Sequence, residues 1–63
     1  MRDSIQFTLF GLDETDRVLA QEILSAADID AARGLARERL RVFPRVEVWS
    51  NWVCVYRGRR QLE

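Results

Sequence analysis

The sequence predicts an α+β fold of the ββαββ type, a four-stranded, mainly antiparallel sheet with one helix packed on one face. Two segments that alternate apolar and polar residues predict a hairpin on each side of a capped, amphipathic helical segment. With 63 residues, the chain is near the lower limit for folding on a single apolar core. We expect one domain over residues 1–61, and we interpret residues 62–63 as a vector-derived scar.

The first hairpin is predicted from two strands and a polar turn: Ile5–Leu12, residues 13–16 and residues 17–25. Pairing Leu12 with Arg17 places Phe7 opposite Glu22. One face then carries apolar residues with Glu22 among them: Ile5, Phe7, Leu9, Val18, Ala20 and Leu24. The segment VLAQEILSAA can also be read as a helix, so the type of the second strand stays open at this point.

The helix is predicted to begin after Asp28, a favourable N-cap residue, although Ser25 is a competing cap. Apolar residues at helical spacing form its inward stripe: Ile29, Ala32, Ala36, Leu40 and Phe43. Pro44 disfavours a helical conformation at Phe43, so we expect the helix to end there.

The second hairpin is predicted from residues 45–57, with a two-residue turn at Ser50 and Asn51. This turn pairs Trp49 with Trp52. It also pairs valines into one β-branched face, which we expect to meet the helix: Val46, Val48, Val53 and Val55.

The opposite sheet face is then expected to expose Trp49, Trp52 and Tyr56 together with Phe10, and also Leu19 and Ile23. Exposed apolar patches of this kind mark interaction sites. We therefore expect a small interaction protein that forms a homodimer through the Trp-bearing face. A Trp-lined pocket for an aromatic small molecule, formed between subunits, is a further possibility.

A second function class, a single-stranded nucleic-acid binding module, would combine the same aromatic residues with four arginines: Arg45, Arg57, Arg59 and Arg60. Another basic stripe, formed by Arg33, Arg37 and Arg41 on the helix, is typical of a solvated helix face. Asp30 and Glu38 lie within reach to neutralise it.

Arg39 falls inside the apolar arc of the helix, and Glu22 lies on the inner face of the second strand. A buried guanidinium either needs a carboxylate partner or must extend to the edge of the apolar surface, where it reaches water. We therefore predict a structural ion pair between Glu22 and Arg39 that links the helix to the sheet.

Catalytic chemistry has little support in this sequence. The chain contains no histidine and no lysine, and its single cysteine, Cys54, has no histidine to activate it. We expect no enzymatic activity, no cofactor and no metal site.

The net charge is zero, but residues 1–30 carry seven acids and two arginines, a net −5, whereas residues 31–63 carry eight arginines and three acids, a net +5. Such asymmetry indicates either a basic binding surface or attraction between the two halves. A lone cysteine and the lack of a long apolar run favour a cytoplasmic protein without membrane partners.

Two segments, residues 28–36 (DIDAARGLA) and residues 46–53 (VEVWSNWV), give the chain a family resemblance. In these segments and in its N-terminal hairpin, it resembles small uncharacterised bacterial proteins of the same layout. The resemblance implies a ββαββ fold and no assigned biochemical activity, so no catalytic residues are transferred from it.

Overall fold

The computed structural model describes residues 4–60 and has the predicted ββαββ architecture. Residues 62–63, interpreted as a scar, lie outside the described residues. Five elements follow one another along the chain: β1 (Ile5–Leu12), β2 (Val18–Ala26), α1 (Ile29–Arg39), β3 (Arg45–Ser50) and β4 (Val53–Arg59). The segment with two interpretations, β2, is therefore a strand.

The four strands form one sheet in the order β2-β1-β3-β4, and every neighbouring pair is antiparallel. The two hairpins are therefore joined by the pairing of β1 with β3. The sequence did not predict this strand order. The helix covers one side, here called the inner face, and the opposite side is called the outer face. No helix in the described part of the chain is long and apolar enough to cross a membrane.

The core lies between α1 and the inner face. Its largest fully buried side chains come from the two central strands: Phe7, Leu9, Val46 and Val48. Ala32 and Ala36 of α1 have no exposed surface, and these small side chains let the helix approach the sheet closely. The inward stripe predicted from the sequence is thus the packing face of the helix, although Ile29 at its start remains 41% exposed.

The helix begins as predicted, because the carboxylate of Asp28 accepts a hydrogen bond from the backbone N–H of Ala31 (2.8 Å). It ends at Arg39 instead of Phe43. The N–H groups of Leu40, Arg41 and Val42 each donate to the carbonyl three residues earlier, which tightens the chain into a turn before Pro44.

The register predicted for the first hairpin is wrong by two residues, since Phe7 pairs with Leu24 and Leu9 pairs with Glu22. The connection is longer than expected because Asp13 organises it. Its carboxylate accepts from the N–H groups of Thr15 and Arg17, and these hydrogen bonds hold the pKa of Asp13 below its ordinary value. A two-residue shift preserves the faces of a strand, so the inner face of β1 is as predicted.

An irregularity follows at the turn end of this hairpin, where Gly11 pairs with Ala20 but Leu12 pairs with Val18. Leu19 is the additional residue of a β-bulge. As a result, Val18 shares the outer face with Leu12 and is 53% exposed, so its predicted inner-face position is wrong.

The register of the second hairpin also differs from the prediction. Its turn residues are Asn51 and Trp52, and Ser50 pairs with Val53. Asn51 has φ 57°, the sign that a type II′ turn requires at its first central residue, and asparagine tolerates this conformation better than serine. A second bulge lies between Val48 and Trp49, so the predicted valine–valine pairs are wrong.

Candidate functional site

The outer face carries the residues to which the sequence analysis assigned an interface. Side chains alternate along a strand, so Phe10 and Leu12 of β1 point away from the helix. Trp49 of β3 lies beside them, opposite Thr8. Together with residues of β2, they line a groove of about 480 Å³, bordered by Val18, Gln21 and Glu47.

The indole of Trp49 is held in place by a short polar chain. Its Nε1–H donates to Glu47 Oε1 at 3.0 Å, and Glu47 Oε2 lies 3.4 Å from Arg57 Nε. The ring is half-buried and has a fixed orientation on the sheet. The arrangement therefore presents a rigid aromatic surface whose polar atom already has a partner.

The β2 side of the outer face exposes apolar side chains. Ile23 is 59% exposed and lies on this face opposite Thr8. Leu19, in the bulge, is 54% exposed. Phe10 of β1 is half-buried and pairs with Gln21 of β2. The expectation that Phe10, Ile23 and Trp49 share the outer face agrees with this geometry.

Trp52 does not lie opposite Trp49, as the sequence analysis expected. The turn shift places Cys54 opposite Trp49 and leaves Trp52 in the turn itself, where it is 91% exposed. Asn51, its neighbour in the turn, borders the groove of the outer face. Trp52 thus projects from the end of the hairpin beside this groove.

Tyr56 lies on the inner face, so its predicted position on the outer face is wrong. The bulge in the second hairpin adds one residue to β4, which places Tyr56 opposite Val48 and against the core. Its ring occupies the space beside Gly58, where a Cβ atom would lie 2.6 Å from the Tyr56 hydroxyl oxygen. Tyr56 is therefore a packing residue.

The four arginines of the nucleic-acid alternative separate into two pairs. Arg45 contacts Asp16 at 2.6 Å, and Arg57 contacts Glu47, so both already have carboxylate partners. Arg59 and Arg60 lie at the end of β4, beside the C-terminal end of the helix. By strand register, Arg45, Arg57 and Arg59 lie on the outer face, with Arg57 in contact with the Glu47 that holds Trp49. Arg60 instead contacts the end of the helix.

The predicted ion pair between Glu22 and Arg39 is confirmed. Arg39 Nε donates to Glu22 Oε1 at 3.1 Å and Nη2 donates to Oε2 at 2.9 Å, a bidentate pair. The hydrogen bonds from Arg39 lower the pKa of Glu22 below its ordinary value, and the pKa of Arg39 is raised in turn. The pair joins α1 to β2 at the border of the inner face.

Groups with reactive or metal-binding potential are few in this molecule. Cys54 is half-buried, and its Sγ lies 3.4 Å from the carbonyl oxygen of Tyr56. Within residues 4–60, no group of three or more metal-ligating side chains comes together.

Sequence reasoning did not identify Leu12 and Val18 as outer-face residues. Leu12 is 5% exposed there, and Val18 reaches this face because of the first bulge. The pattern Asp13-x-Thr15, typical of a side-chain-capped turn, is the one local signal that predicts a longer connection. It does not predict the bulge.

Comparison with protein-family models, with curated proteins and with solved structures gave no match. The resemblance to small bacterial proteins of this layout therefore stays a prediction.

Proposed function

We propose that this protein acts by association and forms a homodimer through the outer face of its sheet. The observation that carries the proposal is the concentration of apolar side chains on a sheet face without a covering layer in the described chain. Ile23 and Val18 are more than half exposed, and Phe10 and Trp49 lie beside them. A single sheet face with this composition is typical of an interaction surface.

The dimensions of the molecule suit a stable interface. The chain measures 42 × 23 × 16 Å, and the sheet plane accommodates the roughly 800 Å² per partner that a standard interface buries. A second layer on the outer face would also enlarge the apolar core of a 63-residue chain, for which a one-sided core is marginal.

The charges beside the groove also favour burial of this face. Glu47 is neutralised by Arg57, and Asp16 is neutralised by Arg45, all within the same chain. A partner that covers the groove therefore leaves fewer unpaired charges in the interface, which lowers the desolvation cost of association. A second copy of the chain presents the same apolar residues, so the two outer faces can form a symmetric two-fold interface.

Trp49 and Trp52 are the proposed aromatic anchors. Trp49 is rigid on the face, and Trp52 projects from the hairpin end, where it can reach a partner on the same side. Aromatic residues commonly dominate interface energetics. Phe10 adds a third ring between them and β2, whereas Tyr56 belongs to the core of each subunit.

The test is the solution mass measured by light scattering at low and at high salt. We expect about twice the 7.4 kDa chain mass at both salt concentrations, since the contact is mainly apolar. Ile23→Glu should yield a folded monomer, with the dimer dissociation constant raised at least about a hundredfold. The reason is that a two-fold interface would bury two new carboxylates, one from each subunit.

Val42→Glu is the matched control, because Val42 is 67% exposed in the turn after the helix, away from the outer face. It should remain dimeric. A monomeric wild-type protein at 100 μM, or equal dissociation of both variants, would contradict a dimer through this face.

A further inference from the structure

The fold brings two arginine pairs together that are distant in the sequence. Arg37 lies in the last turn of α1 and Arg41 in the tight turn that follows it, whereas Arg59 is the last residue of β4 and Arg60 comes directly after it. All four line one broad, shallow groove of about 550 Å³ where the edge strand β4 meets the C-terminal end of the helix, here called the arginine groove; its remaining lining residues are Leu40 and Tyr56. This site is separate from the outer-face groove.

Within the described chain, the arginines of this groove have no acidic partner, whereas four of the other five described arginines have one; Arg17 is the exception. Among residues 4–60, no carboxylate lies within 4 Å of Arg37, Arg41, Arg59 or Arg60. By contrast, Arg33, Arg39, Arg45 and Arg57 each have an acidic partner. Among residues 4–60, no acidic side chain lines this groove, although Arg59 and Arg60 also border a smaller depression with Glu14. The positive charge of the groove is therefore available to a ligand.

Arg60 is fixed in a position from which it can bind an anion. Its backbone N–H donates to the carbonyl oxygen of Pro44 at 2.7 Å, and its Nε–H donates to that of Leu40, the C-cap residue, at 2.8 Å. A guanidinium has five N–H donors, and this contact uses the one on Nε. The donors on the two terminal nitrogens remain for a ligand.

The helix dipole opposes anion binding at this end, but its effect is small. A helix C-terminus carries about −0.5 elementary charge, and Arg60 donates a hydrogen bond to one of the free carbonyl oxygens there. The four guanidinium groups outweigh it. The local potential is therefore positive even though the net charge of the chain is zero.

We propose that the arginine groove binds the phosphate backbone of single-stranded nucleic acid. Its positive charge is spread along the groove, because Arg37 lies in the last turn of α1, Arg41 in the turn after it, and Arg59 and Arg60 at the end of the second hairpin. That spacing suits a chain of phosphates better than one small anion. Tyr56 packs against the core, and its partly exposed side chain also lines the groove, where a base can stack on it.

The experiment measures fluorescence anisotropy of fluorescein-labelled dT12 and U12 from 50 to 200 mM salt. Four phosphate contacts predict a slope of log K against log salt of about −2.8. The double variant Arg37→Gln/Arg41→Gln should halve that slope. The control Arg17→Gln/Arg33→Gln removes the same charge outside the groove, where Arg33 already contacts Asp30, and should leave the slope unchanged.

Three outcomes would overturn the proposal: no binding at 50 mM salt, equal loss in both double variants, or displacement by a glutamate dodecapeptide at the same concentration as dT12. The last outcome would assign the groove to acidic peptides. Ile23→Glu should bind dT12 as the wild type does, so failure of the groove and failure of the dimer are distinguishable.

Discussion

The inner and outer faces of the sheet are built from the same strands but contribute differently to the protein. On the inner face, Phe7 and Val48 are at most 2% exposed beneath the helix. On the outer face, Ile23 and Val18, residues of similar hydrophobicity, remain more than half exposed. The difference shows that the helix covers one face only. Burial on the inner face therefore supports folding, whereas the outer face is left open for the association that we propose.

The largest expected difference between the faces comes from truncating one side chain on each. Phe7→Ala should lower the free energy of unfolding by about 3–5 kcal/mol, because it leaves a cavity beneath the helix. A domain of this size has little more than that in total, so the variant should be largely unfolded. Urea denaturation followed by circular dichroism measures the change.

The matched outer-face variant Ile23→Ala should cost less than about 1 kcal/mol at micromolar protein concentration, where association contributes little. Phe7→Leu, a milder change, should stay folded and still lose more stability than Ile23→Ala. If Phe7→Leu and Ile23→Ala lowered the free energy of unfolding equally, Ile23 would be packed within the single chain, which contradicts an open outer face.

A smaller effect is expected from adding one methyl group to the inner face. In Gly11→Ala, the new Cβ would lie 2.5 Å from Cδ2 of the Phe43 ring, so the ring must move, at about 1–3 kcal/mol. Gly34→Ala is the control, because nothing lies within 4 Å of its new Cβ. It should stabilise the helix by about 0.5–1 kcal/mol in the same denaturation experiment. If both variants changed the free energy of unfolding in the same direction, that would contradict the close contact between Gly11 and Phe43.

The smallest effect concerns the ion pair at the border of the inner face. The folded-state pKa of Glu22 is lowered, so the stability that this pair adds is present above the ordinary glutamate pKa of about 4.3 and is lost as the pH falls through the folded-state pKa. Glu22 and Arg39 are 40% and 33% exposed, and solvent screening limits the contribution to about 1 kcal/mol at most.

Glu22→Gln should therefore be less stable than the wild type at pH 7 and equally stable near pH 2. Asp13, whose pKa is also lowered, titrates in both proteins and cancels in the comparison. A difference between the two proteins that does not change with pH would rule out the charge of Glu22 as its origin.

Several features were predictable from the sequence because they depend on neighbouring residues. The strand period in Ile5–Leu12, the cap at Asp28 and the helical spacing of Ala32 and Ala36 are local patterns, and the structure retains them. The pair between Glu22 and Arg39 was also predictable, because each residue departs from the pattern around it.

The positions of Trp52, Tyr56 and Val18 were not predictable in the same way. Each depends on one bulge or one turn residue, and an additional residue reverses which face the following side chains occupy. A bulge depends on how two paired strands fit together, and that fit has no periodic signal in the sequence.

The sequence by itself thus determined the types of four of the five elements, the helix cap and the buried apolar residues of β1 and α1, because periodicity and capping act over a few residues. The tertiary structure alone decided the strand order, the separation of Trp49 from Tyr56 and the meeting of Arg37 and Arg41 with Arg59 and Arg60. These features require residues distant in the chain to be brought together, and packing of the helix on one face of the sheet decides which of them meet.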